Sequence, residues 1–139
     1  ITWRSDFWRT PEETLLDKTG DCEDMAVLLA SMMRNYTENK FAIWAIEILS
    51  DVPGTPAHMA VAFPVADGRL SISDPAGQYY TGMYQHNQLT SDVAASALSE
   101  WLSHWSQQIP EAYVCRIFSQ NEDRAFSSNA EFLSWLSTR

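Results

Sequence analysis

Three residue types that together can break an amide bond occur in a workable order: Cys22, His58 and Asp74. A thiolate attacks a carbonyl, an imidazole within hydrogen-bond reach takes the thiol proton, and a carboxylate fixes the imidazole tautomer. Cys22 lies in Gly20-Asp21-Cys22-Glu23-Asp24, followed at once by the apolar run Met25-Ala26-Val27-Leu28-Leu29-Ala30. That string reads as a glycine stop, an acidic cap at Asp21 and a helix that opens on the cysteine. A helix N-terminus carries unpaired N–H groups and a partial positive charge, and both favour thiolate over thiol. The flanking carboxylates act in the opposite sense, because a neighbouring negative charge raises a thiol pKa.

The elements that must position these groups follow from the pattern around them. The helix is expected over residues 22–35, and 25–33 is apolar on nearly every face, which predicts a central, buried helix with Met25, Met32 and Met33 as core filler. Upstream, Thr10-Pro11-Glu12-Glu13 is a capping-box start for a short helix ending near Lys18. Residues 41–48 are rich in β-formers, and 57–65 reads as a strand that begins with His58. Asp67-Gly68 signals a hairpin, 69–73 is the return strand, and Asp74-Pro75 ends it. With the turn there, residues whose numbers sum to about 134 or 135 face one another, so His58 and Asp74 lie at the same open end of the hairpin. Residues 77–90 are polar and aromatic, with room for one short strand. Tyr79, Tyr80 and Tyr84 there either line a cleft or cover the edge of the core. Ser91-Asp92 is expected to cap a helix to about 107, with Val93, Ala97, Leu98, Trp101, Leu102 and Trp105 on its apolar face. Residues 112–118 form a last strand carrying Cys115 into the core, and Ser128 caps a final helix with Phe132, Leu133 and Leu136 inward. Helices and a strand meander without repeat or linker predict one α+β domain over 1–139.

These residues resemble the transglutaminase-like superfamily of cysteine enzymes. The resemblance is carried by Trp8-Arg9-Thr10-Pro11-Glu12-Glu13-Thr14-Leu15, by Gly20-Asp21-Cys22-Glu23-Asp24-Met25-Ala26, and by Ala57-His58-Met59-Ala60-Val61 and Ser73-Asp74-Pro75 in the expected order. It covers roughly residues 8–80, and the Asp-Cys-Glu-Asp string is more similar to the bacterial and archaeal cysteine-protease branch than to animal crosslinking enzymes. Ala57 departs from the family, where Gly or Arg is frequent. The resemblance implies a papain-like α+β core, in which the nucleophile-bearing helix packs on an antiparallel sheet. It implies Cys22 as nucleophile, His58 as base then acid, and Asp74 as orienter. The Cys22 backbone N–H is one natural oxyanion donor, and Trp8 is the side-chain candidate for a second, with Trp3 close behind. Asp21, Glu23 and Asp24 offer hard oxygen ligands of the kind Ca²⁺ takes, and branch members use acidic residues flanking the cysteine in this way. The competing account is capping and local pairing at a helix start.

The implied function is a cysteine hydrolase acting on peptide or isopeptide bonds of a protein substrate, with no required cofactor. The alternatives are a protein-glutamine transglutaminase and a non-catalytic interaction module of the same fold. Nine basic against eighteen acidic residues, a net charge of −9, argue against nucleic acid and anionic membrane as partners. No apolar run reaches the roughly 20 residues of a membrane span, and a monomer is expected. The first residue is Ile1 rather than Met, which suggests a processed product or an excised piece; the resemblance implies a place outside the cytoplasm, as part of a longer exported or anchored protein. Two cysteines make no disulfide framework. His86 and His104 have no chemical partner in the sequence. Asn35-Tyr36-Thr37 is a glycosylation sequon that matters only on an exported chain.

Overall fold

The computed structural model describes residues 22–38 and 40–139. The short helix expected near residues 10–18, the Asp21 cap and the candidates Trp3 and Trp8 therefore lie outside the described residues. Within them the chain is mixed α+β, with four helices and an open antiparallel sheet of seven strands. In chain order the elements are α1 (Cys22–Tyr36), β1 (Trp44–Leu49), β2 (His58–Val65), β3 (Arg69–Asp74), β4 (Tyr79–Tyr80), α2 (Met83–His86), β5 (Asp92–Val93), α3 (Ala94–His104), β6 (Tyr113–Phe118), β7 (Asp123–Ala125) and α4 (Asn129–Ser137). The strand order is β4-β3-β2-β1-β6-β7, and β5 also pairs with β3.

Side chains of successive strand residues point to opposite faces, and here each face has its own core. Trp44, Ile46 and Ile48 of β1, Ala60 and Ala62 of β2, and Leu70 and Ile72 of β3 pack with α3 and α4. Ala45, Met59 and Val61 pack with Cys22, Ala26 and Ala30 of α1. The sheet is thus covered on both faces, with each fully buried large side chain contributing roughly 1.5–3 kcal/mol.

The hairpin forms as its turn signal requires. Asp67 and Gly68 both have positive φ, 66° and 71°, and Val61 pairs with Ser73 and Val65 with Arg69. That is the expected register, and it sets Asp74 one two-residue step from His58 on the same face.

Four expectations are corrected. Helix α1 is buried along the stripe Cys22, Ala26, Ala30, Arg34 rather than all round, and Met32 is 57% exposed. The helix lies against one sheet face, so its far side has no sheet to meet. Asp92 and Val93 do not begin the helix expected after Ser91 but form β5 against Leu70 and Arg69. That helix starts at Ala94 without a side-chain cap, ends at His104, and leaves Val93 exposed. A strand, β7, pairs with β6 where none was expected. Finally, a register shift between Glu47 and Ile48 bulges β6, and Cys115 is half-buried while Val114 and Ile117 take the core positions. The last helix behaves as expected: the Ser128 side chain accepts from the Glu131 N–H, and Phe132 and Leu136 are buried.

Candidate functional site

His58 and Asp74 meet. His58 opens β2 and Asp74 closes β3, both buried, and His58 Nε2 lies 2.9 Å from Asp74 Oδ1 and 2.8 Å from Oδ2. An ionised carboxylate only accepts, so Nε2 carries the proton and Nδ1 is the basic nitrogen of the neutral ring. The His58 side chain makes no other hydrogen bond among the described residues.

Asp74 is held by more than His58. The Gly77 backbone N–H donates to Oδ1 at 2.8 Å. The indole N–H groups of Trp101 and Trp105 donate to Oδ2 at 2.9 and 2.8 Å. Four donors therefore meet the roughly four lone-pair sites of one carboxylate, which is what a carboxylate 1% exposed requires. Burial pushes the Asp74 carboxyl up. The hydrogen bond and charge of His58 and the two indole hydrogen bonds outweigh it and hold the carboxyl below its usual range. Gly77 is needed for its size: a Cβ there would stand 2.5 Å from Asp74 Oδ2 and 2.6 Å from the Trp105 ring.

Trp101 and Trp105 are legible in the sequence as the apolar face of a helix, but not as donors. The available signal is two indoles four residues apart, which share a helix face. Trp105 also packs its ring on His58, with centroids 3.9 Å apart.

Cys22 approaches from the other layer. It is 6% exposed and packs in one cluster with Ala26, Ala45, Met59 and Val61. Helix α1 packs on β2. Met33, far along the helix, lines an apolar cavity of about 380 Å³ with Phe63 and Val65, far along the strand. The stretch from Cys22 to Met33 takes about 16 Å of helix, and that from His58 to Phe63 about 17 Å of strand. These matching lengths are what a run of α1 that brings Cys22 to the His58 end of β2 would need, and Cys22 shares its cluster with Met59. It belongs to the Met59 face, whereas the imidazole shares its face with Ala60 and Asp74. His58 is the first residue of its strand, so its ring lies at the end of the sheet, buried against Trp101 and Trp105.

The other candidates read from the sequence separate from this corner or extend it. Among the described residues no group of three or more side chains could hold a metal ion. Of the calcium candidates, Asp24 is buried, Glu23 is half-buried, and Asp21 lies outside the described residues. A calcium-dependent melting shift abolished by Glu23→Gln is the measurement that bears on a bound calcium. Cys115 points its thiol at the Glu47 carbonyl and carboxylate, both at 3.5 Å. Burial, then the Glu47 charge and hydrogen bond, push that thiol up to about 12, so it is inert at neutral pH. No disulfide joins Cys22 and Cys115. Tyr79 is buried and donates to Glu100 at 2.7 Å, whereas Tyr84 is 64% exposed. His86 is exposed, and His104 reaches the turn after Asp74. No helix among the described residues is long and apolar enough to cross a membrane. No protein-family model, curated protein or solved structure matches this chain, so its functional reading rests on the geometry above.

Proposed function

We propose that the chain is a cysteine hydrolase of papain-like, transglutaminase-like architecture, acting on peptide or isopeptide bonds through Cys22, His58 and Asp74. The single observation that carries this reading is the imidazole's orientation. Its Nε2 is committed to a buried carboxylate, leaving Nδ1 as the base, at the start of β2, and Cys22 packs in one cluster with Met59, the next residue of that strand.

In the proposed reaction His58 Nδ1 takes the Cys22 proton and the thiolate sulfur attacks the amide carbonyl carbon. The carbonyl π pair moves to oxygen, and the Cys22 backbone N–H, at the helix start, is the natural donor to that oxyanion. Collapse restores the C=O bond and breaks the C–N bond, with Nδ1–H protonating the leaving amine. The thioester is then attacked by water, whose proton goes to Nδ1. The second collapse expels the thiolate, which recovers the proton. Asp74 stays ionised throughout and stabilises the imidazolium.

The test is alkylation. Iodoacetamide at near-neutral pH is expected to modify Cys22 stoichiometrically in the folded protein and to lose that reactivity in His58→Ala. An unreactive Cys22 overturns every enzymatic reading and leaves an interaction module. Where Cys22 reacts, a dansyl-amine assay with a glutamine protein separates hydrolysis from amine transfer: labelled protein product would replace the hydrolase reading by a transglutaminase.

A further inference from the structure

Helix α3 and Trp105, the residue that caps its C-terminus, send the polar tips of three residues to one four-residue turn. Trp101 and Trp105 donate to Asp74 Oδ2. His104, between them, contacts the Gly77 carbonyl through Nε2 at 3.0 Å. A carbonyl only accepts, so Nε2 carries the proton, and Nδ1 accepts from the Tyr84 hydroxyl at 3.0 Å. Gly77 in turn donates its N–H to Asp74 Oδ1. A helix packing on a sheet needs only apolar bulk at these positions, as Ala97 and Leu98 provide one turn earlier. Convergence of two indole N–H groups and one imidazole N–H on a single turn is not explained by that packing. Trp105 touches both members of the pair, since its ring also lies on His58.

We propose that Trp101, His104 and Trp105 are positioning residues for the His58–Asp74 pair, α3 fixing the carboxylate by its oxygen and its turn by the Gly77 carbonyl, so that the imidazole keeps one tautomer and one orientation. This rests on the Cys22–His58–Asp74 reading for its effect on reactivity, and on the hydrogen bonds alone for its effect on His58.

Both arms are measured on the 139-residue chain. Trp105→Phe keeps a ring against His58 and removes one donor. Its Cys22 alkylation rate is expected to fall about a hundredfold. The acid limb of the rate–pH profile is expected to move to higher pH, because Oδ2 with one donor fewer binds a proton more readily. His104→Leu is expected to lose rate in the same way, and His104→Gln to recover most of it, since an amide N–H can still donate to the Gly77 carbonyl. A melting temperature that falls while rate and pH profile stay put would reduce the three residues to packing and overturn the proposal.

Imidazole ¹⁵N spectra of His58 form the second arm, which does not need a reactive cysteine. The wild type is expected to show the Nε2–H tautomer alone and Trp105→Phe a mixture. Identical spectra overturn the clamp. An unreactive wild-type Cys22 with the expected spectra sinks the triad and leaves the clamp standing. If Trp105→Phe does not fold, the wild-type indole N–H protons decide: slow exchange with solvent at both supports the clamp, fast exchange at either overturns it.

Discussion

The two faces of the sheet are built by different means. On the α3 face the contact is made by large side chains with polar tips, Trp101 and Trp105, whose rings fill the layer while their N–H groups end on Asp74. On the α1 face it is made by small side chains, Cys22, Ala26 and Ala30, one helical turn apart. Small residues let the helix backbone come close to the strands, which is what a short cysteine side chain needs to sit near the sheet's rim. Large residues instead reach a carboxylate that the backbone could not approach. One face fixes a hydrogen-bonded pair by donors, and the other fixes a sulfur by proximity.

The most severe way to break the first face is Asp74→Asn. The amide must turn its NH₂ either toward the Gly77 N–H or toward the two indole N–H groups, and a buried group in that state costs roughly 3 kcal/mol. Cys22 alkylation is expected to fall about 10³- to 10⁴-fold, through the wrong imidazole tautomer. Urea melts and iodoacetamide rates check both parts.

The two faces should answer oversizing alike, at about 1–3 kcal/mol each. Gly77→Ala places a Cβ against Asp74 and Trp105, and Ala26→Leu forces a large side chain into a fully buried position on α1. They should differ in chemistry: Gly77→Ala is expected to alter the pH profile of alkylation, and Ala26→Leu only its rate. Gly68→Ala is the control, with open space around its Cβ, costing about 1 kcal/mol from its positive φ alone.

Acid should distinguish the faces as well. The Asp74 carboxyl is lowered from 3.8, so the folded state binds its proton less readily than the unfolded chain does. The stability it contributes is fully present above that value and is lost as pH falls through the lower, folded one. Wild-type stability is thus expected to drop on acidification below about pH 4 more steeply than that of Asp74→Asn, as followed by melts across that range.

The smallest effect is expected at Met32→Ala, within about 0.5 kcal/mol, because Met32 is exposed rather than core. A larger loss would mean that α1 is covered on its outer side. Peptide mapping after alkylation makes the matching chemical contrast: label on Cys22 and none on Cys115.

Local signals carry the hairpin and its register. Asp67-Gly68 is a turn that only positive φ satisfies, and the period of two then places His58 and Asp74 on one face. Ser128 is readable because an N-cap needs only its own first turn. Asp92 misleads for the complementary reason: a capping residue looks the same when the β3 edge recruits it into a strand. Alternation points Cys115 inward, and one extra residue in β6 removes the alternation. Trp101 and Trp105 are legible only as rings, since nothing in a helical period says where an indole N–H ends.

The sequence by itself determined which residues could do chemistry and that two of them, His58 and Asp74, share an end of one hairpin, because turn type and strand period act over short chain distances. Tertiary structure decided what holds Asp74 ionised. Two of its four donors, Trp101 and Trp105, come from α3 and the residue that ends it, and the first residue of α3 is separated from Asp74 by a turn, two short strands, the short helix α2 and a loop. Their convergence is set by how α3 crosses β3, and no local pattern encodes that crossing. It decided, too, that Cys22 packs in the cluster of Met59 and Val61, on the face opposite the one that His58 and Asp74 share. Burial of the Cys22–Ala26–Ala30 stripe fixes which side of α1 meets that face.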